Sequence, residues 1–566
     1  MPVCLSVPSE LVIKNANVLT VDSRFSRAEA LAIGGGRILS VGSNEDVSTF
    51  IGPQTRVLDA GGKTLMPGLY DSHVHSYRAS VSEFSAPVPA LDSLEAAFRY
   101  IGEKVKSQPA GSWILLERVY PTRMREGRLP TKAELDAVAP ENPVYWNCGP
   151  VSMANSKALR VSGITRDTPN PLPGQVVKNP QTGEPTGLLR NAAQLLKFVA
   201  SNGQPIPAEQ REAVKKLYRL YNQQGITSIA ERRTEFASID LFRDLAKAGE
   251  LTVRINCTRM MDPVPKTLEQ ALKLLDEMTH GPDGNGVYGP TGVGDDWVRI
   301  GPFKVLLDGG MLIGTAYMRE PWGCGDTYQI TDPGYRGILN VKPELLNPLY
   351  LEAAKRGWQL TAHCTGEASM DVLLECYEAV QREMDIRHRR FEICHANFQS
   401  KQNFERCREL GVVADMQPAW LYKDGASLLK TLGSRRMNWF QPLKSWFDHD
   451  LIIGGGSDHM VLLDSLASTN PWNPWLGMWI ACTRQTERGA VHNPAEKLTR
   501  EQAIRFYTIN NARLNFEENL KGSLQPGKFA DFIMVDRDIS RCPADHIRRT
   551  RVLLTVVGGK IVYQGV

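Results

Sequence analysis

The middle of this chain alternates helix-like stretches with short apolar runs, and that alternation restricts it to an α/β architecture with a parallel sheet. The first run is LMPGLYDSHVHS, residues 65–76. ITSIAE follows directly on AEQREAVKKLYRLYNQQG, whose apolar spacing and closing Gly225 mark a helix and its end. LTVRINCTRM, VRIGPFKVLLDGG, WQLTAHC, RRFEICHAN, VVADMQPAW and LIIGGGSDH come next, separated by helical stretches such as GEASMDVLLECYEAVQREM. Eight strands is the count of a (β/α)8 TIM-like barrel. REQAIRFYTINNARLNF supplies a closing helix.

Both ends read differently. LVIKNANVLTV, EALAIGGGRILSVG, FADFIMVD and RVLLTVVGGKIVYQG alternate apolar and polar positions and break at glycines. A composite β-sandwich domain from residues 1–66 and 518–566 is expected around a barrel at 67–517. Residues 85–200, rich in proline and turn residues, break the alternation. They are expected as an insertion after the first barrel strand, a lid or substrate wall at the mouth.

Bulk properties exclude several classes. The 566 residues carry a net charge of only +4, with 42% hydrophobic and 23% charged residues. Neither nucleic acid nor an anionic membrane is indicated, and the basic runs at Arg387–Arg390 and Arg548–Arg551 read as solvated faces. Ten cysteines are scattered without a Cys-X-X-Cys pair, as in a reduced protein. MPVCLSVPSELVIK lacks a secretory pattern, and no run reaches the ~18 apolar residues of a membrane helix. The expected location is cytoplasmic.

His73 and His75 share a face if the backbone is extended, and two imidazoles at a strand end can hold one divalent ion. Lys304, His363, His395 and Asp458 stand at the ends of four later strands, where such barrels carry their chemistry. Singly, each has an ordinary reading: a rim histidine, a lysine paired with Asp308, an aspartate capping a helix. Together, the six converge on a single mouth.

With these residues the chain resembles the amidohydrolase superfamily, and within it amidohydrolase family 3, the branch of YtcJ-like and N-substituted formamide deformylase-like proteins. The resemblance runs through PGLYDSHVH, NSKALRVSGI, PTGLLRNAA, FKVLLDGGMLIGTAYMREPW, TAHCTGEASMDVLL, FEICHANF, GGGSDHMVLLDSL and LKGSLQPGKFADFIMVDRD. It implies a zinc site of one or two ions, two favoured. His73 and His75 would bind the more buried ion, and His363 and His395 the second. Carbamylated Lys304 would bridge them, with Asp458 touching the first ion and handling the proton. Catalytic roles fall to Asp458, Lys304 and His395, in hydrolysis of a carbon–nitrogen bond other than a peptide bond. A homodimer is also implied.

The family pattern is broken at Cys148-Gly149-Pro150 (usually Asp-Gly-His), at Asn191 (glutamate), at Ala230-Glu231 and at His459. These breaks weaken a formamide as substrate but leave the ligand set whole. Trp322, Trp420, Tyr422, His459 and Trp472 are candidate substrate contacts, lining an apolar wall for a hydrophobic or aromatic amide, carbamate or lactam. Arg319 or Arg232-Arg233 could meet a carboxylate. A decarboxylase or hydratase on the same site, and a non-catalytic binding relative, remain alternatives.

Overall fold

The apolar runs of the middle segment lie side by side in one sheet in a computed structural model of the protein, which describes residues 9–84, 88–199 and 205–565. Cys4 and most of the N-terminal stretch read above for a secretory pattern lie outside the described residues. The sheet holds eight parallel strands in chain order: β1 (Leu69–Val74), β2 (Ile226–Thr234), β3 (Arg254–Met261), β4 (Val298–Leu306), β5 (Leu360–Cys364), β6 (Glu392–His395), β7 (Val413–Met416) and β8 (Ile453–Gly455). Val74 bridges His459 in parallel, bringing the last strand back to the first. The result is a nearly closed (β/α)8 barrel.

Local chemistry explains where elements start and stop. The helix Pro207–Gln223 opens on a proline, and the Ile206 backbone N–H donates to Glu209 Oε2 at 2.9 Å. Its buried stripe is Val214, Leu217, Tyr218 and Tyr221. Gly225 ends it at φ +83°, where a Cβ would stand 3.0 Å from Ile533 Cδ1, and β2 begins on the next residue. The Gly454-Gly455-Gly456 run serves close approach as well. A Cβ on Gly456 would lie 2.7 Å from the backbone nitrogen of His73.

Two further sheets join the chain ends. One has six strands, Lys560–Gln564, Val552–Val557, Phe532–Val535, Thr64–Pro67, Asn17–Leu19 and Arg27–Ala28 in spatial order. The other has four, Arg37–Gly42, Ala30–Gly34, Leu11–Lys14 and Arg56–Asp59. Leu11, Ile13, Ile33, Leu65, Phe532 and Val556 share one buried cluster between them, a small β-sandwich. Arg254 at the start of β3 ties it to the barrel through Asp531, at 2.6 and 3.0 Å.

The segment between β1 and β2 folds on a sheet of its own. Gln175–Lys178, Pro185–Arg190, Val151–Ala154, Val144–Asn147 and Ile114–Glu117 form a five-stranded mixed sheet in that order. Trp113, Leu159, Val176 and Leu189 build a separate small core against it. The Arg123 guanidinium grips the buried Asp424 carboxylate at 2.8 and 3.0 Å, and Asn191 Nδ2 donates to Asn340 Oδ1 at 2.7 Å. These contacts hold the inserted sheet beside the carboxyl ends of the barrel strands.

Among the described residues no helix is long and apolar enough to cross a membrane. Their nine cysteines are free thiols.

Candidate metal centre

His73 points into the barrel from the end of β1 and is fully buried. Its Nδ1 lies 2.5 Å from Asp415 Oδ2 on β7. That contact fixes the tautomer: Nδ1 carries the proton and donates, leaving the Nε2 lone pair free. Nε2 is buried without a hydrogen-bond partner and stands 3.6 Å from Asp458 Oδ1. His75, just past the strand, brings its Nε2 to 3.3 Å from the same oxygen. His73, His75 and Asp458 thus offer three donor atoms within 4.8 Å of one another.

The other two histidines are prepared in the same way. His395 Nδ1 meets Gln417 Oε1 at 2.8 Å, and His363 Nε2 meets the Gly309 carbonyl at 3.1 Å. Each protonated nitrogen is turned to an acceptor, and the opposite nitrogen keeps its lone pair. The His395 ring lies 4.6 Å from that of His73 and 4.5 Å from that of His363. A buried nitrogen without a partner, imidazoles fixed by acceptors and a nearby carboxylate suit a divalent ion of the zinc type.

Electrostatics favour the same use. Burial, then the positive charge of Lys304, holds His73 and His75 well below the usual histidine range and pushes His363 down to about 3. His395 is lowered by burial and by His363 and His73. All four are neutral near pH 7, the form that donates a lone pair. Burial raises Asp458 to about 7 against the pull of Lys304 and Arg118. Lys304, on β4, is 2% exposed. Asp308 is not its partner: that carboxylate accepts from the Tyr317, Thr365 and Gly366 backbone N–H groups and the Ser369 hydroxyl at 2.8–3.0 Å.

The backbone is strained where the cluster is densest. His395 has φ +78° and Asp458 φ +55°, conformations that non-glycine residues adopt at a cost of about 1–3 kcal/mol. The Asp458 N–H donates to the His73 carbonyl at 2.7 Å, so β8 is pinned to β1 at the site. Asp71 Oδ1 accepts from the backbone N–H groups of His73 and Ser457, both at 3.0 Å, and joins the same two strands.

Of the aromatic candidates, Trp420 touches the cluster. Its ring centroid lies 4.8 Å from that of His395, and its indole N–H is buried without a partner. Trp322 is buried and donates to the Ala316 carbonyl at 2.9 Å. Tyr422 packs edge-on to Trp479, and Trp472 packs on Tyr221. His459 has both ring nitrogens engaged, with the Tyr221 hydroxyl at 2.7 Å and the Leu462 carbonyl at 2.6 Å. Arg319 is paired with Asp371 at the surface, and the buried Arg232 is clamped on Glu392 at 2.6 and 2.7 Å.

Sequence reading missed the groups that orient the ligands. Asp415 and Gln417 sit in VVADMQPAW, where their alternation with apolar residues resembles an ordinary half-exposed strand. The available signal was a carboxylate inside a strand whose neighbours on both sides are buried in a barrel. Glu231 is likewise buried. Its Oε2 accepts from Ser76 Oγ at 2.5 Å and the Ser76 N–H at 2.6 Å, and Oε1 lies 3.9 Å from His75 Nδ1.

The barrel and its inward-facing histidine–aspartate cluster define a metal-dependent hydrolase. The chain belongs to the amidohydrolase family, whose model matches residues 56–563, and is a hydrolase acting on C–N bonds. It is 30% identical to the N-substituted formamide deformylase of Arthrobacter pascens over 98% of both chains. Its fold is like that of an uncharacterized metal-dependent hydrolase from Pyrococcus horikoshii OT3 (TM-score 0.66, 20% identity, 95% of this chain and 99% of that one). It also matches a mutant atrazine chlorohydrolase TrzN from Arthrobacter aurescens TC1, complexed with zinc and atraton (TM-score 0.52, 16% identity, 97% and 94% covered).

Proposed function

We propose that the protein hydrolyses an amide, carbamate or lactam-like C–N bond in a small substrate with apolar or aromatic character. The observation that carries this reading is the pair of atoms at the centre of the barrel. His73 Nε2 is buried with no partner while Nδ1 is fixed by Asp415, and Asp458 Oδ1 stands between it and His75. His73, His75, Lys304, His363, His395 and Asp458 would hold zinc, one ion or two, with Lys304 carbamylated in the second case. The metal would acidify water and polarise the substrate carbonyl.

The chain's own groups do the rest. Asp458 takes a proton from the attacking water as the new C–O bond forms, then gives it to the leaving nitrogen as the C–N bond breaks. An acid and an amine result. Trp420, whose ring lies beside that of His395, would give the substrate an apolar face. The similarity to the formamide deformylase supports C–N hydrolysis and leaves the acyl group open.

Elemental analysis of protein purified without chelator is the test. Two zinc ions per chain are expected. One ion would leave Lys304 as an ordinary lysine, and none would overturn the reading. Appearance of a new free amino group, which a decarboxylase would not produce, separates hydrolysis from a decarboxylase on the same site.

A further inference from the structure

The inserted sheet sends one charged side chain toward the site that the ligand set does not use. Arg118 follows the strand Ile114–Glu117 directly and takes φ +57°, a conformation held only where surroundings impose it. Opposite it is Gly149, at φ +89°, where a Cβ would stand 2.5 Å from Arg118 Nη1. The guanidinium therefore rests on bare backbone, in space that any other residue at 149 would fill. Gly149 itself keeps the family pattern, and the departures from it are its two neighbours, Cys148 and Pro150.

The nearest carboxylate does not satisfy Arg118. Glu117 Oε1 accepts from Arg78 Nη2 at 2.9 Å and Oε2 from Asn147 Nδ2 at 2.9 Å, leaving Arg118 Nε a contact of 3.6 Å. That Nε is buried and has no hydrogen-bond partner. Arg233, paired with Asp262, adds a third guanidinium on this side. The fields of all three reach His75, and that of Arg118 reaches Asp458. Arginine forks bind carboxylates in a bidentate, directional way, and the polar neighbours this guanidinium has now, Glu117 and the Tyr120 hydroxyl, leave its fork without a bidentate carboxylate.

We propose that Arg118 anchors a carboxylate-binding subsite at the barrel mouth, so that the substrate is an amide that also bears a carboxylate. This rests on the hydrolase reading and narrows its substrate class. The two are separable by experiment. Calorimetry on the metal-loaded full chain compares 3-phenylpropanoate with the neutral 3-phenylpropan-1-ol, which keeps the ring and lacks the charge.

The carboxylate is expected to bind at least tenfold more tightly than the alcohol. Arg118→Gln should raise its Kd at least tenfold and change that of the alcohol less than twofold. Arg319→Gln, which removes an exposed arginine paired with Asp371, should change neither. Equal weakening of both ligands by Arg118→Gln would assign Arg118 a structural role and overturn the proposal. So would carboxylate binding that survives the substitution, since the anion would then be held elsewhere in the site. Turnover is read separately, with N-acetylphenylalanine (both enantiomers) against N-acetyl-2-phenylethylamine. Cleavage of both with equal kcat/KM sinks the subsite and keeps the hydrolase. Arg118-dependent binding with neither amide cleaved keeps the subsite and counts against amides as the bond that is cut.

Discussion

At the scale of single residues, ligand quality depends on atoms that do not touch the ligand. Asp415 holds His73 at Nδ1 and also accepts from the His395 backbone N–H at 3.2 Å, so one carboxylate orients two of the histidines. Asp415→Asn is expected to weaken metal binding about 10- to 100-fold, the usual size of such an effect, measured by chelator competition. Asp458→Asn should lower kcat by about 100- to 10,000-fold, in line with loss of a proton-transfer group. Unchanged turnover would remove Asp458 from the mechanism. The four histidines were legible because only ten occur in 566 residues and each of these closes an apolar run. Asp415, Gln417 and Arg118 were not. The first two look like polar positions of an alternating strand, and a positive φ or a guanidinium over Gly149 leaves no mark in the order of residues.

At the scale of elements, the site needs β8 and β1 closer together than side chains normally allow. Gly456→Ala would drive a methyl group to 2.7 Å from the His73 nitrogen, so β8 must shift outward. Reduced metal content with the fold retained in far-UV circular dichroism is the expected result. The inserted sheet hangs on its own fastening. Arg123→Ala would leave the fully buried Asp424 without its guanidinium, an uncompensated charge worth about 3–5 kcal/mol. Urea denaturation should show the loss, and Thr122 Oγ1, at 2.8 Å from Asp424, would be its remaining hydroxyl donor among these contacts. The eight barrel strands could be read because each is an apolar run ended by a glycine or a polar residue. The five inserted strands could not. Four of them are only four residues long, set among prolines and turns, and they pair with one another out of chain order.

At the scale of the whole molecule, a ligand that binds only the folded chain adds stability by mass action, about 2.7 kcal/mol at one hundred times its Kd. Dialysis against a chelator should therefore lower the unfolding temperature in calorimetry, and added zinc should restore it. A melting curve indifferent to chelator would mean that the cluster holds no tightly bound ion. The sandwich formed by both chain ends was legible as two strand-rich termini. The pairing order within it was not, since nothing local in Thr64–Pro67 specifies Phe532–Val535 as its neighbour.

That pairing has a consequence in time. Thr64–Pro67 leads through Gly68 into β1, which carries His73; Asn17–Leu19 covers one of its edges, yet the strand on the other edge leaves the ribosome roughly 465 residues later. At about 5–20 residues per second, that delay is on the order of half a minute to a minute and a half. Throughout it, the first barrel strand is tethered to an open sheet edge. The barrel's opening segment is thus among the first parts made and among the last to be secured, and in the cell it is the stretch for which a chaperone would have most to do.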